Sequence, residues 1–427
     1  MNKAEQFVKK HKLTATEIDI QTLVDSFMNE MDAGLQGRES SLMMIPTYIE
    51  ASNALKPNQP VIAIDAGGTN FRTAKMYFDE NMQLVTENLK NGKMPAVDEE
   101  LSKEDFFKAM ASFLDEYRQV SDKIGFCFSY AVEIFPNKDG KLLEWSKEVK
   151  APEVIGEMVG KNMLEAMKTP EKKVVILNDT VATLLAGQAA TAGKVYDTYI
   201  GYILGTGTNT CYIESNKKIT KTPNLEPEKS QVINIESGNF GNVPRTDIDR
   251  LFDNQTKNPG RYCFEKMFAG GYFGGLLTTA LKTAANEGVF TEASKTNLNR
   301  LPELTTEEAN KFVCDIHTSE NPLTTALVNQ DDKAAAAEII ETMMERAAKL
   351  VAANLAAVIL KTGKAKTTEK PVLMTIEGTT FYKLKNFREM VEKFLQKFLS
   401  GNNKRYYEII EVKNSSLVGA AIAGIVN

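Results

Sequence analysis

The chain is poor in metal-binding side chains. Its 427 residues include two histidines, His11 and His317, and four cysteines, at 127, 211, 263 and 314, with no Cys-x-x-Cys pair. That spacing argues against a structural zinc site. Long apolar runs are also missing. The two most apolar later stretches, 347–360 and 417–426, are too short to cross a bilayer and read as buried helices. The N-terminal stretch is charged and lacks the continuous apolar segment of a signal peptide or membrane anchor, so a cytoplasmic location is expected. Basic residues are not in excess: 51 Lys and Arg against 56 Asp and Glu give a net charge of −5. This balance argues against nucleic acid or an anionic membrane as partner and favours a small molecule. Two common phosphate-binding designs are absent as well. There is no GxxxxGK[ST], and no GxGxxG entering a helix with an acid about twenty residues later.

What is present is an ordinary folded composition, 43% hydrophobic and 25% charged. The length suits two domains of roughly 150 to 250 residues each, with a cleft between them. Helical spacing at Ile20, Leu23, Val24, Phe27, Met28 and Met31 predicts a leading helix, ended before Pro57 and Pro60. From Val61 the pattern becomes strand, turn and strand (61–78), a helix over 103–118, a strand over 123–128 and a strand over 174–177 running into Asn178-Asp179. A helix follows over 180–190. A second hairpin spans 198–214. An alanine-rich helix over 334–360 stops near Gly363, and a strand (372–378), a helix (384–399), a strand (406–412) and a short terminal helix complete a second α/β unit.

Chemistry concentrates at the two hairpin tips, Asp65-Ala-Gly-Gly-Thr-Asn70 and Gly205-Thr-Gly-Thr-Asn209, and at Asp179 between them in sequence. Glycine admits backbone conformations other residues resist. It also removes the Cβ atoms that would keep a large anion from a concave row of peptide N–H groups. Thr69, Thr206 and Thr208 would add hydroxyl donors. Asp65 suits a hydrated Mg²⁺, a hard cation that keeps several waters, or is simply a turn-forming Asp. Arg72 would offset phosphate charge or lie solvated on its strand. Asp179 is the candidate base for taking the proton of an attacking alcohol, with a helix N-cap as its plain alternative. Together these residues point to phosphoryl transfer.

The ordered motifs resemble those of the hexokinase family within the actin-like ATPase superfamily, over nearly the full chain. Segment 64–72 is similar to the first phosphate motif, 177–187 to the connecting segment, 203–209 to the second phosphate motif, 376–383 to the adenosine segment and 416–424 to the closing helix. The resemblance implies an α/β, two-domain actin-like ATPase (ribonuclease H-like) fold with an interdomain cleft. It implies a small domain of 55–177 with 416–427 and a large domain of 1–54 with 178–415. It implies ATP and Mg²⁺ as cofactors, with Asp65, Gly67, Gly68, Thr69, Asn70, Arg72, Gly205, Thr206, Gly207, Gly378 and Thr379 on the nucleotide side. On the sugar side it implies Ser129, Ser146, Lys147, Asn178, Asp179, Asn209, Glu236 and Glu265, since a polyol rim offers O–H donors that carboxylates and amides accept.

Several positions depart from the family pattern: Ser146 for Thr, Tyr130-Ala131 for Phe-Pro, Ser237-Gly238 for Trp-Gly, and Gly275 where an acid is common. Ser146 keeps a hydroxyl, and the others are expected to reshape the pocket wall. The resulting expectation is transfer of the γ-phosphoryl of MgATP to the C6 hydroxyl of glucose or a related hexose. A sugar-binding regulator that has lost turnover is the alternative. A bacterial ROK-type kinase would usually carry a Cys/His zinc segment, which this sequence lacks. A structural or chaperone ATPase would have no use for the sugar-side residues. Preferred hexose, product inhibition, oligomeric state and alternative donors are not written in the sequence.

Overall fold

The computed structural model describes residues 1–50, 56–145, 149–191 and 193–427. In chain order its strands are β1 (Ile45–Pro46), β2 (Val61–Gly67), β3 (Asn70–Phe78), β4 (Leu84–Lys93), β5 (Lys123–Phe128), β6 (Ala131–Ile134), β7 (Gly140–Glu144), β8 (Lys173–Leu177), β9 (Thr198–Leu204), β10 (Thr208–Ser215), β11 (Ser230–Asn234), β12 (Val372–Glu377) and β13 (Tyr407–Ile410). The helices are α1 (Lys3–Lys10), α2 (Ile20–Leu35), α3 (Lys103–Phe113), α4 (Val159–Ala166), α5 (Asp179–Ala190), α6 (Asp247–Asp253), α7 (Phe273–Asn286), α8 (Glu292–Arg300), α9 (Thr306–Cys314), α10 (Pro322–Ala326), α11 (Gln330–Thr362), α12 (Thr379–Lys383), α13 (Phe387–Phe398) and α14 (Ser415–Val426).

Two sheets share one topology. The first has the order β4-β3-β2-β5-β8, and the second repeats it as β11-β10-β9-β12-β13, with β1 added at its outer edge. In each, the first three strands are antiparallel and the last two parallel. In each, a glycine tip joins the first and second strands in chain order. A helix follows the fifth strand in both, α5 after β8 and α14 after β13. Helix α14 packs on β2 and β5, α5 packs on β9 and β12, and the two helices pack on each other. The close fit requires glycine. A Cβ at Gly125 would overlap the Ala420 carbonyl, and one at Gly419 would overlap that of Ala182. The outcome is the two-domain α/β fold of the actin-like ATPases, with the glycine tips at the carboxyl ends of the central strands β2 and β9 and the β8–α5 junction at the carboxyl end of the edge strand β8.

Strand β2 is buried from Val61 to Ala66, as its apolar run over 61–64 predicts for a strand flanked on both edges, and that burial takes in Asp65. Helix α11 ends where the sequence predicts, with Gly363 at φ 70° as its left-handed cap. Other elements differ from expectation. The leading helix is two, α1 and α2, each capped by its own Asn2 or Asp19 side chain. Helix α3 stops at Phe113 and a 3-10 turn takes over at Asp115–Tyr117, where the buried Tyr117 hydroxyl donates to the Asn88 carbonyl. The helix expected from Leu384 begins at Phe387, because Asn386 takes a left-handed conformation (φ 54°). The β6–β7 hairpin and helices α6–α10 had no counterpart in the sequence reading.

Candidate active site

The β8 strand delivers Asn178 and Asp179 to the layer between the sheets. Asn178 is extended (φ −72°, ψ 156°) and its side chain accepts from Thr180 N at 2.8 Å, so the N-cap is Asn178 and Asp179 is the first helical residue. The capping role that the sequence left open for Asp179 thus belongs to its neighbour, although Asp179 Oδ1 also accepts from Thr180 N at 2.8 Å. The Asp179 charge acts on Glu236, Glu377, Cys127 and Cys211, each on a different element.

At the first tip, Gly67 pairs with Asn70 and the turn is Gly68-Thr69, with Gly68 at φ 62°. Thr69 and Asn70 are exposed. Asp65 and Arg72 face each other across the β2–β3 pair. Arg72 Nη2 and Nε donate to Asp65 Oδ2 at 2.5 and 2.9 Å, and Ser416 Oγ donates to the same oxygen at 3.0 Å. Arg72, half-buried, is bonded to Asp65 and, through Nη1, to Asn414 Oδ1 at 2.9 Å.

At the second tip, Leu204 pairs with Thr208 around Gly205-Thr206-Gly207. Its carbonyls are held from outside: Gly270 N and Thr380 Oγ1 both donate to Gly205 O at 2.8 Å, and Gly271 N donates to Thr206 O at 2.8 Å. Gly378, at φ 123°, joins β12 to α12 directly against Leu204, where any side chain would collide with the Leu204 carbonyl. Thr379 is exposed beside it. Thr208 departs from expectation. It is 6% exposed and its hydroxyl bonds Ile203 O and Tyr202 OH, so it is engaged within the hairpin just below the tip.

The residues expected on the sugar side split between the sheets. Asn209 Nδ2 donates to Asn234 Oδ1 at 2.7 Å and to Glu236 Oε1 at 3.2 Å, and lies 3.4 Å from Asn178 Oδ1. Asn234 Nδ2 donates to Glu236 Oε1 at 2.8 Å. Glu236 sits at φ 58°, a strained conformation for a residue with a side chain. Burial raises its pKa, with a further upward push from Asp179. Glu265 Oε2 accepts from Thr208 N at 2.8 Å. That approach needs Gly207, whose Cβ would lie 2.7 Å from the same oxygen. Burial, against the Thr208 bond and with help from the Glu236 charge, pushes Glu265 up to about 7. On the other sheet, Ser129 N donates to Ala66 O at 3.0 Å, and the Ser129 hydroxyl lies against Gly67. The two sides meet where Tyr262 OH lies 3.4 Å from Glu144 Oε1.

Two family models, both described as hexokinase, match residues 3–189 and 199–426. The chain belongs to the hexokinase family. Its similarity to glucokinase-1 of Saccharomyces cerevisiae is 27% identity, covering 99% of this chain and 96% of that one. To hexokinase-3 of Oryza sativa subsp. japonica it is 28%, covering 96% and 87%. Among solved structures, a hexokinase from Schistosoma mansoni complexed with glucose superposes with a TM-score of 0.79 at 24% identity, over 99% of this chain and 98% of that one. A ROK hexokinase from Thermus thermophilus gives 0.54 at 15%, over 86% and 98%. Both show the shared fold. Membership makes the chain a hexose kinase, an enzyme that phosphorylates a sugar. Among the described residues no helix is long and apolar enough to cross a membrane.

Set against the hexokinase pattern, the departures resolve unevenly. Ser237 is fully buried and its hydroxyl lies 3.0 Å from Thr210 Oγ1, so it sits beneath the site and is no part of a pocket wall. Gly275 lies inside α7 against Phe252 and Glu303, where a Cβ would come within 2.6 to 2.7 Å of each. Ser146 and Lys147 lie outside the described residues. Two residues escaped the sequence reading. Asn234 completes the amide network. Glu377, the last residue of β12, hydrogen-bonds the Ser415 hydroxyl and accepts from Thr183 Oγ1 at 3.3 Å. Burial, then the Asp179 charge, raise Glu377 to about 7. An acid ending a buried strand just before glycine was the available signal.

Proposed function

We propose that this hexokinase-family enzyme transfers the γ-phosphoryl of MgATP to the C6 hydroxyl of glucose or a close relative, with Asp179 as general base. The observation that carries the reading is convergence. Asp179, a network of amide and carboxylate acceptors (Asn178, Asn209, Glu236) and two glycine tips occupy strand ends around one helix junction. A bound hydroxyl needs an acceptor at the moment it attacks phosphorus, and a carboxylate at the start of α5 supplies one. Glu236, Glu265, Asn209 and Asn178 would accept from the ring hydroxyls, while from the opposite side the Ser129 and Ser146 hydroxyls would bond them and the Lys147 ammonium would donate to a ring oxygen.

Gly67, Gly68, Thr69, Asn70, Gly205, Thr206 and Gly207 would grip phosphates through backbone and hydroxyl donors, while Gly378 and Thr379 would line the nucleoside. Arg72 would hold Asp65 in place. A divalent ion fits Asp65, whose Oδ2 is anchored by Arg72 and Ser416 and whose Oδ1 lies on the side of Gly67. No group of three or more His, Cys, Asp or Glu able to cage a metal occurs among the described residues, so Asp65 would act with water and phosphate oxygens. Magnesium, when bound, neutralises the phosphate charge. The proposal divides the chain into 55–177 with 416–427 and 1–54 with 178–415, which puts the five-stranded sheet and the β6–β7 hairpin in the first part and the six-stranded sheet in the second. Closure on a sugar would exclude water, the competing nucleophile.

The test is a coupled assay of sugar phosphate formation over a panel of hexoses with MgATP. Hexose binding without product at saturating MgATP would leave the regulator as the reading.

A further inference from the structure

We propose that the Tyr130 hydroxyl is a positioning group for phosphoryl transfer, holding the Gly68 carbonyl so that the Thr69 N–H faces the phosphates. This rests on the phosphoryl-transfer reading above and extends it to a residue outside the glycine motifs.

Tyr130 follows Ser129 at the end of β5 and donates to Gly68 O at 2.8 Å. The acceptor belongs to the central peptide of a two-residue hairpin tip. The orientation of that peptide distinguishes turn type I from II and I′ from II′, and glycine at the first position lowers the cost of changing it. Because the peptide is trans, its N–H points opposite its carbonyl. Pulling Gly68 O toward Tyr130 therefore aims Thr69 N–H the other way. The next carbonyl is tied too, since Met94 N donates to Thr69 O at 2.9 Å.

The phenol is itself held firmly. Its ring packs on Phe128 at 4.8 Å and edge-on against Trp145 at 4.9 Å, and the residue is 3% exposed. Burial and the Asp65 charge raise its pKa, which keeps the hydroxyl a donor. A ring serving only to fill the wall would need no hydroxyl. This one is spent on the phosphate hairpin, from a residue next to a sugar-side serine.

The test is Tyr130→Phe, which removes one oxygen and keeps the ring. Initial rates with hexose and MgATP varied independently should show the KM for MgATP raised roughly 5- to 30-fold, the scale of one lost buried hydrogen bond. The hexose KM should stay within about 2-fold, and MgADP binding measured by calorimetry should weaken in step with the MgATP term. An unchanged MgATP KM overturns the inference, as does an equal loss in both substrates or a loss confined to hexose. If the unmodified enzyme forms no sugar phosphate, the phosphoryl-transfer reading falls and takes this inference with it. An active enzyme with an indifferent Tyr130→Phe variant removes this inference alone.

Discussion

The two glycine tips occupy equivalent places in sheets of the same order, yet they are supported differently. The 67–70 tip has two turn residues, and its carbonyls are held by one side chain and one amide, Tyr130 OH and Met94 N. The 205–207 tip has three turn residues held mostly by backbone from the 270–271 segment, so its supports must themselves be glycine to come close enough. In both, a sugar-side segment touches the tip: Ser129 and Tyr130 the first, Glu265 the second through Thr208 N. The lesson is that the proposed sugar and phosphate contacts would be built on shared backbone in each half, by different means.

The largest expected effect tests whether both tips serve one reaction. Asp179→Ala should retain hexose binding while kcat falls by on the order of 10²- to 10⁴-fold, the usual worth of a general base. An active variant would separate the tips from the carboxylate and break the comparison at its root.

Glu265→Gln sharpens the second half of the comparison. With its pKa raised from 4.5 to about 7, Glu265 in the folded protein keeps a proton that the unfolded chain releases. Its contribution to stability therefore declines as pH rises from about 4.5 through 7. The amide has no such slope. Melting curves should show the variant gaining on the parent across that window, by on the order of 1 to 3 kcal/mol at pH 8, with little difference near pH 4.5. The parent's hexose KM should fall as pH rises through about 7, because the ionised carboxylate is the better acceptor. A flat difference in melting temperature with pH would refute the assignment.

Smaller effects separate the supports themselves. Gly270→Ala would place a methyl 2.7 Å from Gly205 O, costing roughly 1 to 3 kcal/mol of stability by overpacking and weakening MgATP binding. Gly68→Ala must hold the left-handed conformation at φ 62°, for which about 1 kcal/mol is expected. Denaturant titrations that reverse this ranking would show that the first tip is the more tightly packed.

Much of this was legible in the sequence because its signals were local. The glycine tips, the 123–128 strand and the Gly363 stop depend on residues within a few positions of each other. Most misses were non-local. Thr208 was the exception: it looked like a ligand donor, but Tyr202, six residues earlier in the same hairpin, bonds its hydroxyl. Glu377 gained meaning only when α5 and α14 brought Thr183 and Ser415 to it. Helices α6, α8 and α9 carry N-caps at Thr246, Thr291 and Thr305, but their short apolar faces are too brief for periodicity to stand out. The family resemblance supplied the order of motifs that local patterns could not.

Ser415 and Ser416 open α14 with hydroxyls committed in opposite directions, Ser415 to Glu377 on the six-stranded sheet and Ser416 to Asp65 on the five-stranded one. Under the proposed division the boundary passes between these two neighbours. A swing of one proposed lobe would then be felt within one residue by Asp65, the proposed metal carboxylate, and by Glu377, beside the proposed nucleoside contacts. Opening and gripping would be geared together at that point, beside the Arg72 bond to Asn414.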